Sequence, residues 1–306
     1  MKALKEALYL LLYRLAAARV NRLDDHGRVA LARKLAKAAW YLWPAKRHVT
    51  LLNLRFAFEG KLDDARMQKI GIEAYTNFAM TLFSVIRLQN IAPEELLRSI
   101  RFKNASVVER ALQEGKRIIF VTGHYGNWEL ISPAVTLHFG VKAAVVGRRL
   151  DSDAMESVLK KSRERFNVEV IYKRGAGKGT LKALKAGKVL GLLVDQALPK
   201  RLAAVVNFFG KKATHTPLPA TLALQRDALI IPVFIHTCDH IVHTVTFHPP
   251  LSAPSNLDKA EAVQTLTQRI ADITEATIRQ DPSLWFWMHK RWKNFYPELY
   301  RREQNA

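Results

Sequence analysis

From Phe102 onward, short apolar runs alternate with amphipathic stretches of helical length, which limits the folds open to this chain. Apolar runs of strand length occur at 117–122, 142–146, 168–172, 189–194, 229–236 and 242–248. Helical spacing of apolar residues occurs at 105–113, 128–138, 152–166, 178–186, 218–226 and 257–280. Because strands that alternate with helices form crossover units, the sequence predicts an α/β fold with a mixed, largely parallel central sheet flanked by helices. The last two strands, joined by a short polar turn, predict an antiparallel hairpin at one edge of the sheet.

The residues before this region have a helical pattern. Apolar residues recur at spacings of three and four over 28–43 and 65–88, with no alternating strand pattern between them. We therefore divide the chain into an N-terminal helix (1–22), a helical region (23–100) and an α/β core (101–306).

The N-terminal helix carries a short apolar run, Ala7 to Tyr13, behind Lys2 and Lys5. A membrane-spanning helix needs about 20 apolar residues, so this run is too short to cross a bilayer. The run is also short for a signal peptide, Arg14 interrupts it, and the chain beyond stays basic, which disfavours cleavage. We predict an apolar helix that lies on or dips into a membrane surface. A helix packed on its own domain is the alternative.

The charge balance points to anionic partners. The chain has 48 Lys and Arg against 27 Asp and Glu, a formal net charge of +21. Nucleic acid, an anionic membrane surface and an acidic carrier protein all satisfy this charge. The single cysteine, Cys238, excludes an internal disulfide framework and favours a reducing compartment. It ends an apolar strand, so we expect it to be a buried core residue.

The loop GHYGNWEL, residues 123–130, follows the apolar run at 117–122. Ligands bind beyond the carboxyl ends of parallel strands, so this position makes the loop a candidate site. Gly123 and Gly126 allow a sharp turn, and His124 can exchange a proton near neutral pH. Glu129, in the first helical turn, would accept from the imidazole and complete a general-base dyad. A helix-capping turn with Asn127 as the cap explains the same residues equally well.

Two more strand ends carry polar residues. Arg148 and Arg149 follow the apolar run at 142–146, and Asp195 and Gln196 follow the run at 189–194. If the strands are parallel, these residues lie on the same sheet edge as His124. A buried Asp195 needs a charged partner, and we predict an arginine from the neighbouring strand end. A structural ion pair and a functional site both satisfy this pattern.

Several other chemistries lack their motifs in this sequence. Neither the Gly-x-Ser-x-Gly elbow of an α/β-hydrolase nor a His-Glu-x-x-His zinc motif occurs. The run GAGKGT at 175–180 is similar to a phosphate loop, but Tyr172 occupies the first glycine position and Gly179 follows the lysine. We therefore expect neither a metal nor a nucleotide. The C-terminal stretch WFWMHKRWKNFY, 285–296, suits a single-stranded nucleic acid platform, a membrane interface or a segment that caps the core.

Ordered motifs along nearly the whole chain carry a resemblance to a known family. They are NLRFAF at 53–58, TGHYGNWE at 122–129, Arg148, VDQ at 194–196, FFG at 208–210, Thr214, Pro232 and WFWMHKRWK at 285–293. In this order they resemble the late, or secondary, acyltransferases of lipid A biosynthesis, within the lysophospholipid and glycerolipid acyltransferase superfamily. The resemblance implies the α/β fold of that superfamily and a membrane-bound acyltransferase.

The activity that the resemblance implies is transfer of a fatty acyl chain from acyl carrier protein to a hydroxyl of a lipid A precursor. The reaction would take place at the cytoplasmic face of the inner membrane, with acyl carrier protein as co-substrate and no cofactor. The family's His-x4-Asp/Glu dyad matches His124 as the base and Glu129 as the residue that orients it. Arg148 would hold a phosphate or the developing charge, with Asp195 to position it.

The resemblance also extends to substrate-binding residues. Arg149 stands where relatives often carry proline, so we expect Arg148 and Arg149 to be exchangeable in role. The implied set further includes Asn127 and Gln196 at the loop ends, and two residues expected to line the acyl channel, Phe208 and Phe209.

Two alternative functions stay open. The dyad recognises a hydroxyl group and not the molecule that carries it, so another glycolipid, an ornithine-type lipid or a lysophospholipid is an alternative acceptor. From a different class, a basic nucleic-acid-binding protein would explain the charge and the C-terminal aromatic residues, but not His124 and Glu129 at a strand end. We therefore expect acyl carrier protein, a lipid A precursor and an anionic membrane as partners, and no nucleic acid.

Overall fold

The computed structural model describes residues 2–172, 175–252 and 257–301. Its N-terminal part forms the helices α1 (Lys2–Arg22), α2 (Asp25–Leu42), α3 (Pro44–Ala57), α4 (Asp64–Arg87) and α5 (Pro93–Arg98). The boundaries follow local chemistry. α3 begins at a proline, whose missing N–H needs no partner in the first turn, and the Asp63 carboxylate accepts from the backbone N–H of Arg66 at 2.7 Å to cap α4.

The remaining elements alternate between strands and helices. The strands are β1 (Ile100–Lys103), β2 (Arg117–Thr122), β3 (Ala143–Gly147), β4 (Val168–Tyr172), β5 (Val189–Leu193), β6 (Ala204–Phe208), β7 (Lys211–His215), β8 (Ala228–Thr237) and β9 (His243–Phe247). The helices are α6 (Ser106–Gln113), α7 (Ile131–Phe139), α8 (Asp153–Glu164), α9 (Ala176–Lys185), α10 (Leu218–Arg226) and α11 (Lys259–Gln280).

Seven of these strands form one sheet in the order β1-β9-β8-β2-β5-β3-β4. All neighbours pair in parallel except β8 and β9, which confirms the predicted mixed, largely parallel sheet. The predicted β8–β9 hairpin forms, but its placement at the sheet edge was wrong, because β1 pairs outside β9. A second hairpin, β6–β7, was not predicted. Its strands carry Asn207, Lys211 and Lys212, so they lack the continuous apolar runs that mark the central strands.

Helices cover both faces of the sheet. Alternate residues of β2 enter two different apolar clusters: Ile118 and Phe120 pack with α6 and α7, while Ile119 and Val121 pack with α9, α10 and α11. A strand with both faces buried is apolar throughout, which explains the run IIFV. The expectation for Cys238 was wrong. β8 ends at Thr237, and Cys238 is exposed just beyond it.

The first helix packs on the domain through one face and exposes another. α1 contacts α4 and α8, and its Val20 is buried with Val29 and Met80. Near the start of α1, the Glu6 carboxylate accepts from Ser152 Oγ at 2.7 Å, beside the start of α8. The exposed face carries a row of leucines, Leu4, Leu8, Leu11, Leu12 and Leu15. In the described part of the chain, no helix has the length and apolar character needed to cross a membrane. Contact of α1 with a membrane surface stays a prediction.

Candidate active site

The glycines of the loop after β2 are required by close packing. Gly126 has φ +56°, and a Cβ there would lie 1.9 Å from the carbonyl oxygen of Ile235. A Cβ at Gly123 would lie 3.1 Å from Asp195 Oδ2. Glycine therefore lets the loop turn against β8 at one position and lets a carboxylate approach the backbone at the other.

His124 and Asp195 meet at the carboxyl ends of two adjacent strands. β2 ends just before His124, β5 ends just before Asp195, and the two strands are hydrogen-bonded neighbours. The Nδ1 of His124 lies 2.7 Å from Asp195 Oδ1, and the backbone N–H of His124 donates to Asp195 Oδ2 at 2.8 Å. The indole Nε1 of Trp285 donates to the same Oδ2 at 2.7 Å. Asp195 is thus held on both oxygens.

This environment keeps Asp195 ionised. Burial by itself would raise the pKa of the Asp195 carboxyl, which is only 2% exposed. The neighbouring His124 charge and the hydrogen bonds from His124 and Trp285 outweigh burial and hold the pKa well below its usual range. When the imidazole is neutral, an ionised carboxylate accepts from a protonated Nδ1, and the lone pair then lies on Nε2. The side-chain nitrogen of Gln196 lies 3.3 Å from that Nε2.

Glu129 has a different partner from the one predicted. It lies in a short 3₁₀ turn, Trp128–Leu130, and accepts from Arg163 of α8, with Nη2 at 2.9 Å from Oε1 and 3.0 Å from Oε2. Both side chains are largely buried. The turn directs the carboxylate toward α8, while Asp195 on the neighbouring strand occupies the position next to Nδ1. In the structure, Asp195 and not Glu129 orients the imidazole.

The predicted ion pair between Asp195 and a neighbouring arginine was wrong. Arg148 pairs with Asp151 at 2.9 Å and Arg149 pairs with Asp153 at 2.8 Å, and the two arginine side chains are 72% and 64% exposed. Exposed pairs of this kind contribute little to stability. Both guanidinium groups are accessible from solvent. A substrate role for Arg148 and Arg149 stays a prediction.

Three of the predicted substrate-binding residues are buried in packing roles. Asn127 is buried, and its Nδ2 donates to Ser84 Oγ of α4 at 2.7 Å, so its side chain holds the loop to α4 instead of capping the turn after it. Phe208 and Phe209 are fully buried in an aromatic cluster with Trp285 and Trp287. Their role in lining the acyl channel stays a prediction. Phe208 also packs 5.9 Å from Trp285 and supports the indole that contacts Asp195.

The C-terminal segment forms the other wall of the site. The backbone N–H of Phe286 donates to the His124 carbonyl at 3.0 Å, and the N–H of Gly126 donates to the Leu284 carbonyl at 3.0 Å. Asn77 of α4 donates to the carbonyls of both Gly126 and Leu284, at 2.9 and 3.1 Å. The segment therefore holds the loop in place along its backbone.

The sequence of the C-terminal aromatic stretch is compatible with three roles, and in the structure the stretch caps the core. Trp285, Trp287, Arg291 and Trp292 are all buried. The contact of Trp285 with Asp195 was not predicted, because it joins residues 90 positions apart. The available signal was the presence, in one chain, of the aromatic stretch at 285–296 and the histidine loop at 123–130.

The imidazole lies in an apolar surround. The rings of Trp128 and Phe286 have centroids 5.1 and 6.1 Å from that of His124, and the His124 side chain is 18% exposed. Such walls restrict water and strengthen the electrostatic interaction between His124 and Asp195. Within residues 2–172, 175–252 and 257–301, no three His, Cys, Asp or Glu side chains are placed to hold a metal ion. The arrangement suits a general base, because Asp195 holds Nδ1 while Nε2 has the Gln196 side chain at 3.3 Å.

Comparison with known proteins identifies the family of this chain. Residues 6–294 match the family of bacterial lipid A biosynthesis acyltransferases. The chain is also 25% identical over 187 residues to a phosphatidylinositol mannoside acyltransferase of Mycolicibacterium smegmatis, a match that spans 60% of this chain and 59% of that protein. Since the family match includes His124, Asp195 and Trp285 and covers nearly the whole chain, the protein belongs to the bacterial lipid A biosynthesis acyltransferase family.

Proposed function

We propose that the protein transfers a fatty acyl chain from the thioester of acyl carrier protein to a hydroxyl of a lipid A precursor at the cytoplasmic face of the inner membrane. The observation that carries the proposal is the His124–Asp195 pair, 2.7 Å apart, in a chain of an acyltransferase family. His124 presents Nε2 to the site, where a general base for a hydroxyl is needed.

The reaction follows from this geometry. The acceptor hydroxyl oxygen attacks the thioester carbonyl carbon while His124 Nε2 takes the hydroxyl proton. Asp195 stabilises the imidazolium that forms, and the Trp285 indole and the His124 amide keep its carboxylate oriented. The tetrahedral intermediate then collapses, the carbon–sulfur bond breaks, and the carrier thiolate takes the proton from the imidazolium. An ester and a free carrier thiol result.

The exposed leucines of α1 support a membrane-bound acceptor. Leu4, Leu8 and Leu15 are each at least half exposed, which is unusual for a contiguous helical face in water. Through Glu6, the same helix is tied to the start of α8, and α8 also carries Arg163 next to Glu129. A membrane contacted by this face would therefore lie near the carboxyl edge of the sheet, where the acceptor hydroxyl must reach His124.

Other lipids are alternative acceptors for the same reaction. A phosphatidylinositol mannoside acyltransferase is similar to this chain, so another glycolipid is the second candidate acceptor. An ornithine-type lipid or a lysophospholipid would use the same chemistry. The nucleic-acid alternative is weakened, because Trp285, Trp287 and Trp292 are buried and present no stacking platform.

Radiolabelled acyl transfer tests the proposal. Membranes that contain the protein are incubated with acyl-loaded carrier protein and a tetraacylated lipid A precursor, and in parallel with a phosphatidylinositol mannoside, an ornithine-type lipid and a lysophospholipid. We expect transfer to the lipid A precursor with the wild type and a loss of at least about 10³-fold with His124→Ala, the size expected for removal of a general base. No transfer to any acceptor, or a wild-type rate with His124→Ala, would refute the mechanism. Preferred transfer to another lipid would replace the acceptor and keep the chemistry.

A further inference from the structure

A group of exposed cations lies on the loop after β5 and on the C-terminal segment. We define the basic rim as Lys200, Arg201 and Lys293, all three exposed. The two segments that carry it are joined by contacts. Asn294 Nδ2 donates to the Leu198 carbonyl at 2.5 Å, and Lys200 Nζ lies 4.5 Å from the ring centroid of Phe295.

The basic rim is close to the reacting histidine. Leu198 is three residues beyond Asp195, and the intervening Gln196 contacts His124 Nε2. From the C-terminal side, Phe286, in the same segment as Lys293, donates its backbone N–H to the His124 carbonyl at 3.0 Å. A partner bound at the rim would therefore be beside the site.

Among the described residues, no carboxylate neutralises the charges of the rim. In the described part of the structure, none of the three cations has a carboxylate within salt-bridge distance, in contrast to Arg148 and Arg149, which pair with Asp151 and Asp153. Exposed apolar side chains adjoin the cations: Leu202 is 59% exposed and Val205 is 45% exposed. A mixed surface of unpaired cations and exposed apolar groups is typical of a protein-binding site for an acidic partner.

The rim and the apolar face of α1 are built on different elements. α1 packs on α4 and α8, whereas the rim lies on the loop after β5 and on the segment after α11. A membrane at α1 would leave the rim to bind a second, soluble partner. The reaction needs such a partner to deliver the acyl donor.

We propose that the basic rim is the docking surface for an acidic acyl carrier protein, which presents its thioester to His124 from this side. The inference rests on the proposed acyl transfer and assigns the donor's docking surface. Unpaired cations steer an acidic carrier and lengthen its residence without contact with the acyl chain itself.

Two donors with the same thioester separate docking from chemistry. Transfer to the lipid A precursor is measured with acyl-loaded carrier protein and with the corresponding acyl-pantetheine, which is small and uncharged. In the rim variant, Lys200→Glu with Arg201→Glu and Lys293→Glu, we expect KM for the carrier to rise at least about 10-fold. With acyl-pantetheine, kcat/KM should stay within about twofold of the wild type, which also shows that the variant is folded.

The matched control reverses three exposed lysines at the opposite end of the sheet. Lys116 precedes β2, and Lys182 and Lys185 lie near the end of α9, on the side where β5 begins. Lys116→Glu with Lys182→Glu and Lys185→Glu produces the same change in net charge as the rim variant. We expect its KM for the carrier to stay within about threefold of the wild type.

The outcomes are distinct. Equal increases in KM for the rim and control variants would show that only net charge matters and would overturn the docking surface. An unchanged KM for the carrier in the rim variant, with loss of sedimentation on vesicles of phosphatidylglycerol, would assign the rim to the membrane and likewise overturn it. Failure of the wild type with both donors would refute the proposed function instead.

Discussion

Exchange of each carboxylate near His124 for the matching amide tests the assignment of its partner. Asp195→Asn and Glu129→Gln are nearly isosteric changes that remove one negative charge each. Asp195 Oδ1 lies 2.7 Å from the imidazole Nδ1, whereas Glu129 is bonded to Arg163. The structure therefore predicts unequal effects on catalysis from two chemically equal substitutions.

The magnitude for Asp195 follows from the lost charge. Two unit charges about 4 Å apart interact by about 4 kcal/mol at an effective dielectric constant of about 20. Loss of that stabilisation from the imidazolium-like transition state corresponds to a decrease in kcat on the order of 10³-fold. An asparagine amide can also donate to Nδ1 and favour the tautomer with the proton on Nε2, which removes the base.

The expected effect at Glu129 is smaller. A glutamine at position 129 can still accept from Arg163, and the charge next to the imidazole is unchanged. We expect kcat to fall by less than about tenfold and the free energy of unfolding to fall by about 1 to 3 kcal/mol, as for a weakened, largely buried hydrogen-bonded pair. Trp285→Phe removes one donor to Asp195 Oδ2 and should lie between the two in kcat.

Initial rates at saturating donor and acceptor, with urea unfolding of each variant, measure both quantities. A loss of about 10³-fold for Glu129→Gln together with a near-wild-type rate for Asp195→Asn would refute the assignment and restore Glu129 as the orienting residue. If both variants lose activity and also lose most of their free energy of unfolding, the loss of activity results from unfolding and not from catalysis.

Two further predictions concern stability. Gly126→Ala places a Cβ 1.9 Å from the Ile235 carbonyl at φ +56°, whereas Gly115→Ala has a similar φ of +64° with open space around it among the described residues. In urea unfolding, we expect the free energy of unfolding to fall by more than about 2 kcal/mol for Gly126→Ala and by about 1 kcal/mol for Gly115→Ala. Equal decreases for the two variants would contradict the close packing of the loop. Burial lowers the pKa of His215 to about 3 and of His243 and His289 to about 4, below the ordinary value of 6.5. At low pH the unfolded chain therefore binds more protons than the folded chain. The stabilisation from these neutral histidines is fully present above pH 6.5. As the pH drops from 6.5 toward 4, the free energy of unfolding decreases by up to about 1.4 kcal/mol per pH unit for each histidine. Replacement of His243 by Gln should reduce the slope of unfolding free energy against pH between 6.5 and 4, and an unchanged slope would show that this histidine is not responsible.

The strands and their polar ends could be predicted from the sequence because their signals are local. The run at 117–122 coincides with β2, because a strand buried on both faces is apolar throughout, and the run at 168–172 coincides with β4, an edge strand in which Glu169 is exposed. The position of His124 and Asp195 at one sheet edge also followed, because parallel strands end on the same side. β1 and the β6–β7 hairpin were missed because four or five residues with polar members carry too little periodicity.

The identity of the imidazole's partner could not be predicted in this way. β3 and β4 come between β2 and β5 in the chain, yet the sheet order places β2 next to β5 and brings Asp195 to Nδ1. The spacing of Glu129 from His124 is a local pattern, and it pointed to a carboxylate that the turn directs toward Arg163. The positions of Phe208 and Trp285 also could not be predicted from local patterns, because they depend on contacts between distant segments.

The kind of fold, the sheet edge of the candidate site and the histidine proposed as its base could thus be read from local patterns, because apolar periodicity and strand ends are properties of neighbouring residues. The three-dimensional contacts were needed to show which carboxylate lies next to that histidine, that the C-terminal tryptophans are buried, and that exposed cations lie beside the candidate site. These depend on strand order and on hydrogen bonds such as Phe286 N–H to the His124 carbonyl, which join parts of the chain that no local pattern connects.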